Sequence, residues 1–484
     1  MMETMLSEKG MNFNALEKEI FKIGCEIAAG LMEQVLTAMD NHLAENRDRK
    51  AYRHKGKRWT SLKTLMGEVS YGRTVYETKL ESGETAFVYL LDEVLQLDTF
   101  GKVTSNLAAR IAECVSVCSY REAAEKVSSM TGQTISHGGA WNVVQDLGEK
   151  LFDVEEADAR LAKAGQGRGE VTTPILFEEA DGVWINMQRK DRPKRGRKCE
   201  MKMAAAYDGW ELEGKERYAL RNKVMVCGFE DSKSFQSKKE GAIAAVFNTD
   251  EITTRILNGD GGGWIKAGLA DADVHFQLDP FHKNREITRK VKKEKQREKI
   301  RRLLSEKRIE DLLTYVKGIT ELAEEETEKK NLKELYEYFS SNKEGLIPYQ
   351  ERGLKLPIPP KGVEYRNLGT MEHQVCDGAA KRMKHQKASW SKAGASNLGR
   401  ILCRKVCGNL YDAITALSRT VLPERYIETI EEVLSSAKAP KKDGRGYLYP
   451  VRGRNPFTEA FMTNGRKAIL SMLGDRRGSE LIYR

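Results

Sequence analysis

The fold turns on one stretch: Thr254-Arg255-Ile256-Leu257-Asn258-Gly259-Asp260-Gly261-Gly262-Gly263-Trp264-Ile265. A short β-branched and aliphatic run, read as a buried strand, ends in a single acid set among glycines. The glycines strip side chains from around the carboxylate, so a large ligand can approach it closely. An acid at a strand end beside a glycine-rich turn is a common way to hold a metal or a phosphate. Trp264 and Ile265 read as the first core residues of a following helix. The motif gains meaning only if other acids occupy comparable places.

Working outward, residues 171–177 predict a strand, Asp181-Gly182 a turn, and 183–187 a second strand. A basic loop follows, Arg189-Lys190-Asp191-Arg192-Pro193-Lys194-Arg195-Gly196-Arg197-Lys198. Further strands are expected at 201–207, 223–229 and 274–278, with a helix at 238–247. The last strand runs into Asp279-Pro280-Phe281-His282. Strands followed by strand–helix alternation describe a mixed sheet with helices packed on it.

Farther out the pattern is helical. Leu16, Ile20, Ile23, Ile27, Leu31 and Val35 recur at helical spacing in 11–46, and that apolar face needs the protein body or a second chain as partner. Residues 64–76 alternate between glycines as a small hairpin. Within 101–150, a helix at 119–127, a turn at Thr131-Gly132-Gln133 and a second helix from Ser136 have the spacing of a helix-turn-helix. An ordinary helical hairpin explains the same pattern, since the second helix is poor in base-reading Arg and Asn. Residues 153–170 read as a linker. A charged helical block occupies 283–345, with thirteen Lys and Arg against four Glu between 283 and 308.

The 484 residues suffice for several domains. The 81 Lys and Arg against 71 Asp and Glu give a net charge of +10, which favours polyanionic partners. Eight cysteines form no Cys-x-x-Cys pair, and Cys114/Cys118 and Cys403/Cys407 fit helical core positions. With no signal-peptide pattern and no 18-residue apolar run, a soluble, reduced, cytoplasmic protein without a membrane partner is expected.

Three acids stand out by position: Asp181 at the expected turn, Asp260 after its strand, and Glu372 in Gly369-Thr370-Met371-Glu372-His373, where a helix begins. Two aspartates on strands and a distant glutamate on a helix fit the metal site of a ribonuclease H-like fold. Such a set can hold two divalent ions, one activating the attacking oxygen and one stabilising the leaving oxygen. Asp208 and Asp279, also near strand ends, compete for the first two places. Downstream, Lys381, Arg382, Lys384 and Trp390 suggest a basic face with an aromatic, suited to phosphates and unpaired bases.

The segments Asn258 to Lys266, Leu278 to Lys283, Gly369 to Glu372, and Lys381-Arg382-Met383-Lys384 through Ser389-Trp390-Ser391 resemble the ISLre-type insertion-sequence transposases, which are similar in logic to Mutator-like DDE transposases. Leu65-Met66-Gly67-Glu68-Val69 and Ser119-Tyr120-Arg121-Glu122-Ala123-Ala124 carry the likeness into the N-terminal half. The resemblance implies an α/β catalytic core of ribonuclease H-like type, a mixed five-stranded sheet with flanking helices, joined to a helical N-terminal DNA-binding region and a helical insertion. It implies an N-terminal helix at 1–50, a DNA-binding region at 51–165, core at 170–283 and 365–418, an insertion at 284–364, and a basic tail at 419–484. The 112 residues from Asp260 to Glu372 match an interrupted core. It further implies DNA cleavage and strand transfer with two Mg²⁺ or Mn²⁺ ions on Asp181, Asp260 and Glu372. His282 and His373 would support that site, and Lys194, Arg195, Arg197 and Lys198 would join the Lys381–Trp390 region in binding DNA. A homodimer or higher multimer on DNA, associated with a bacterial nucleoid, is expected. The rival readings are a ribonuclease H-like nuclease without strand transfer and a domesticated DNA-binding protein.

Overall fold

The computed structural model describes residues 13–95, 99–269, 274–384, 388–417 and 426–436. In chain order the elements that matter are α1 (Phe13–Asn46), β1 (Arg53–Thr64), β2 (Gly67–Lys79), β3 (Thr85–Val88), α2 (Leu90–Leu95), β4 (Thr99–Phe100), β5 (Val103–Thr104), α3 (Ser105–Val115), α4 (Tyr120–Met130) and α5 (His137–Lys163). There follow β6 (Ile175–Asn186), β7 (Lys198–Tyr207), β8 (Trp210–Leu212), β9 (Tyr218–Leu220), β10 (Val224–Gly228), α6 (Ser232–Ala244), β11 (Thr254–Gly259), α7 (Gly263–Lys266) and β12 (Val274–Leu278). The rest is α8 (Pro280–Lys290), α9 (Glu294–Ser305), α10 (Ile309–Glu321), α11 (Glu326–Ser341), β13 (Val363–Glu364), α12 (Met371–Val375), a π-helical segment (Cys376–Lys384), α13 (Lys392–Val406), α14 (Leu410–Leu417) and α15 (Ile427–Ser436). Of the basic tail expected at 419–484, residues 419–425 and 437–484 lie outside the described residues.

The chain divides into two compact units, one of 1–29, 58–71 and 92–421, the other of 30–57, 72–91 and 422–484. In the second unit buried Asp40 accepts from the Thr74 backbone N–H at 2.9 Å and its hydroxyl at 2.8 Å, tying the helix to β2.

The first unit is built on the expected five-stranded mixed sheet, ordered β10-β7-β6-β11-β12. β7 lies antiparallel to β6 and β10, while β11 runs parallel to β6 and β12. Alternation gives β6 two faces. On one, Leu176 and Ala180 pack under α6 with Phe235, Ile243 and Phe247. On the other, Val183, Ile185 and Met187 share a core with α3–α5, α12, the π-helical segment and α13. The helix-turn-helix region therefore contributes to the same core as the sheet. Gly148 lets α5 and α13 approach; a Cβ there would meet Asn397 at 2.3 Å. The insertion buries its own cluster, including Ile300, Leu312, Leu335 and Phe339.

Three expectations are corrected. Asp181-Gly182 is no turn: β6 runs straight through, with Asp181 opposite Met203. Gly182 leaves room for the Glu200 carboxylate of β7, whose Oε1 lies 2.1 Å from where a Cβ would stand. Residues 153–163 continue α5; Glu155 and Asp158, polar enough to suggest a linker, are buried and paired with Arg400 and Arg168. The hairpin is longer than 64–76, because basic, exposed 53–58 forms the outer part of β1.

Candidate metal centre

The carboxyl end of β11 sets the site. Gly259 pairs with Ala180 of β6, so the next residue, Asp260, emerges beside Asp181. Asp260 accepts from the Gly262 N–H at 2.8 Å, and Gly261 adopts φ +86°, a left-handed conformation that favours glycine. A Cβ on Gly261 would also meet Asn342 at 2.6 Å. The glycines thus admit the end of the insertion as well as a ligand. Asp279, directly after β12, donates its N–H to the Gly259 carbonyl at 2.8 Å and caps α8 through the His282 N–H at 3.0 Å. His282 Nδ1 lies 3.1 Å from Asp279, and its Nε2 lies 3.7 Å from Asp181. One ligand atom each of Asp181, Asp260 and His282 lie within 4.8 Å of one another.

Glu372 is the second residue of α12 and exposed; it stands outside that tight group, but its charge reaches Asp181. What places its helix is Glu179, fully buried on the same face of β6. Glu179 accepts from the Gly369 and Met371 N–H groups at 2.9 and 3.2 Å, from the Thr370 N–H and hydroxyl at 3.2 and 2.6 Å, from Asn258 at 3.0 Å, and from Tyr207. A carboxylate at the first turn of α12 both satisfies its free N–H groups and suits its dipole.

Electrostatics mark the cluster as short of positive charge. Burial, then the charges of Asp260 and Glu372, raise the Asp181 pKa to about 6 against the opposing pull of His282 and the Gly182 N–H. Burial and Asp260 also push Glu200 up, while a bond from Trp264 opposes them. His282 is raised: burial disfavours its charge, but the Asp279 bond and the Asp181 charge win. Asp279 is lowered, because bonds from His282 and Asn258 outweigh its burial. Carboxylates that repel each other in a partly buried pocket are neutralised by a hard divalent cation. The oxygen-rich donor set fits Mg²⁺ or Mn²⁺.

The rival acids have other work. Asp208 is buried against Arg221 and Asn222, both at 3.1 Å, and Asp279 orients His282. His373 is exposed and pairs with Asp377 at 3.1 Å. Lys194, Arg195, Arg197 and Lys198 are all exposed in one loop leading into β7. The basic face expected at Lys381–Trp390 is divided: Lys381 and Lys384 are exposed, while Arg382 and Trp390 are buried. Arg382 is buried within the π-helical segment, and Trp390 donates its indole N–H to the Met383 carbonyl at 3.0 Å. Glu179 and Glu200 were missed from sequence; the signal for Glu179 was its place one pleat before Asp181 in an otherwise apolar run.

Fold and site define a mixed α/β protein with a cluster of acids and a histidine at the ends of adjacent parallel strands. The chain belongs to the uncharacterised protein family UPF0236, whose model matches residues 6–419. A UPF0236 protein of Caldanaerobacter subterraneus subsp. tengcongensis is 27% identical over 354 residues, which cover 72% of this chain and 66% of that protein. The chain thus spans just under two thirds of that relative. Another from the same organism, whose name joins eleven locus designations, is 25% identical over 72% of this chain and 70% of its own length. A UPF0236 protein of Streptococcus gallolyticus, named from its place in a vanSb 3′ region, is 24% identical over 80% of this chain and 81% of its own.

Proposed function

We propose that the chain is a DDE-type transposase that cuts and joins the DNA ends of its own insertion sequence. The observation that carries this is the convergence of Asp181 and Asp260 from adjacent parallel strands, with Glu372 on a clamped helix close enough to act on Asp181. Counting the five strands from β6, the order 3-2-1-4-5 with the second strand antiparallel supports a ribonuclease H-like core. The relative bearing eleven locus designations has the copy pattern of an element that multiplies within a genome.

In this reading Asp181, Asp260 and Glu372 hold divalent ions, Mg²⁺ or Mn²⁺, which when bound supply charge neutralisation at the phosphate and an acidified water. Water breaks one P–O bond at the element end, and the freed 3′-hydroxyl then exchanges with a target phosphodiester. His282, oriented by Asp279, keeps a proton at Nδ1 and faces Asp181 with Nε2. The exposed basic loop 189–198 takes the DNA backbone. Leu16, Ile20 and Ile27 leave apolar surface on α1 for a second copy on paired ends.

A strand-transfer assay with labelled element ends and Mn²⁺ tests this. Products joined to target support the proposal; cut but unjoined ends indicate a nuclease, and binding without cutting a DNA-binding module. An Asp260→Asn protein that still cleaves would sink the metal assignment.

A further inference from the structure

The starts of α4, α5 and α13 surround a cavity of about 370 Å³ lined by Tyr120, Trp141, Gln188, Arg382, Trp390 and Ser391. Arg382 sets its chemistry. The residue is 7% exposed, and its Nε donates to the Val115 carbonyl at 2.6 Å. Its guanidinium lies between the rings of Trp390 and Tyr120, at 5.1 and 5.8 Å. Among the described residues no carboxylate pairs with it, and only Nε meets a protein acceptor. A guanidinium holds its charge even when buried, so the cavity presents an anion with a fixed positive partner.

Two further features point to what the anion belongs to. α4 and α13, capped by Ser119 and Ser391, both open on the cavity, and helix N-termini favour phosphate. Trp141 on α5 is 45% exposed and offers a ring, while the Tyr120 hydroxyl is buried without a partner. Phosphate and aromatic chemistry together describe a nucleotide. The place agrees. Trp390 bonds to Asn186 at 3.0 Å and to Gln188 at 2.7 Å, at the end of β6 where the basic loop begins. Six residues of strand separate Asp181 from Met187, about 20 Å. That is a reach of about six nucleotides along a duplex strand.

We infer that this cavity takes one unpaired nucleotide of bound DNA, its phosphate on Arg382 and its base against Trp141. The choice of DNA rests on the transposase reading; the pocket itself does not. The test is fluorescence anisotropy of full-length protein with a labelled single-stranded oligothymidylate and a blunt duplex. Trp141→Ala and Arg382→Gln should each weaken single-strand binding by about ten-fold, and duplex binding far less. Trp141→Phe should restore most of the loss. Trp141 is exposed, so its variants carry the test if Arg382→Gln fails to fold. Wild-type single-strand affinity in both Trp141→Ala and Arg382→Gln overturns the pocket, even if the wild type cuts and joins ends. Trp141-dependent single-strand binding by a wild type that never cuts ends supports the pocket and overturns the transposase reading instead.

Discussion

Glu178 and Asp181 lie on one strand, three residues apart and on opposite faces, and are treated in opposite ways. Glu178 is 1% exposed beneath α6, where Lys239 and Arg255 reach it, Arg255 Nε at 2.6 Å. Burial alone would raise its pKa, but those two cations hold it down at about 2. Arg255 is itself held by both oxygens of Glu240, at 2.9 and 2.8 Å. Asp181 has only His282 and the Gly182 N–H to set against its burial; with Asp260 and Glu372 adding smaller repulsions, it is driven up to about 6. A carboxylate that the fold has neutralised is structural. One that the fold leaves buried beside others of its kind, with a histidine as its cationic neighbour, has a perturbed titration of the kind found at functional sites.

Variants of the two acids should separate these roles. The largest effect is on chemistry: Asp181→Asn or Asp260→Asn should lower Mn²⁺-dependent end cleavage by about 10³-fold with the circular dichroism spectrum intact. Glu178→Gln should leave cleavage per folded molecule unchanged; an equal loss there would erase the distinction. Next is Lys239→Met, which strands Glu178 with Arg255 alone and should cost about 3–5 kcal/mol in urea unfolding.

The third prediction concerns pH. The raised Asp181 contributes stability that is present below its unfolded value near 4 and is lost as pH rises through about 6. Asp181→Asn should therefore stabilise the metal-free protein by about 2–3 kcal/mol at pH 7.5 and by little at pH 4. The lowered Glu178 behaves oppositely, its contribution present above the unfolded value and lost as pH falls toward 2. Fourth, Mn²⁺ at ten times its Kd should stabilise the wild type by about 1.4 kcal/mol at pH 7.5 and progressively less below pH 6, as Asp181 takes up a proton. The smallest effect is in the basic loop: neutralising Lys194 or Arg195 should reduce the salt dependence of DNA binding by about one unit of slope each, without altering cation affinity.

The strand of Ile256 and Leu257, the acid that ends it, and the helix opening at Met371 were legible because each is local: an apolar run, a glycine turn, a helix after a loop. Asp181 was legible as an acid but not as a strand residue. Asp-Gly imitates a turn signal, whereas in the strand Gly182 lies under the Glu200 side chain of the neighbouring strand. Arg382 counted as part of a basic face because it sits between exposed lysines, whereas in the π-helical segment it is buried. Glu155 passed for a linker residue because its cationic partner, Arg400, lies far away in sequence; Asp158 pairs with Arg168 only ten residues on, a contact that needs the helix to be formed first.

The sequence by itself determined the mixed strand-and-helix order and the types of residue available at the acid centre, since these depend on local pattern. Only the tertiary structure decided which charges meet. Glu178, Glu179 and Asp181 differ little as sequence, yet the first meets cations, the second meets the N–H groups of α12, and the third meets other acids. Strand alternation and long-range pairing assign those surroundings, and Coulomb energy at short range turns the assignment into function.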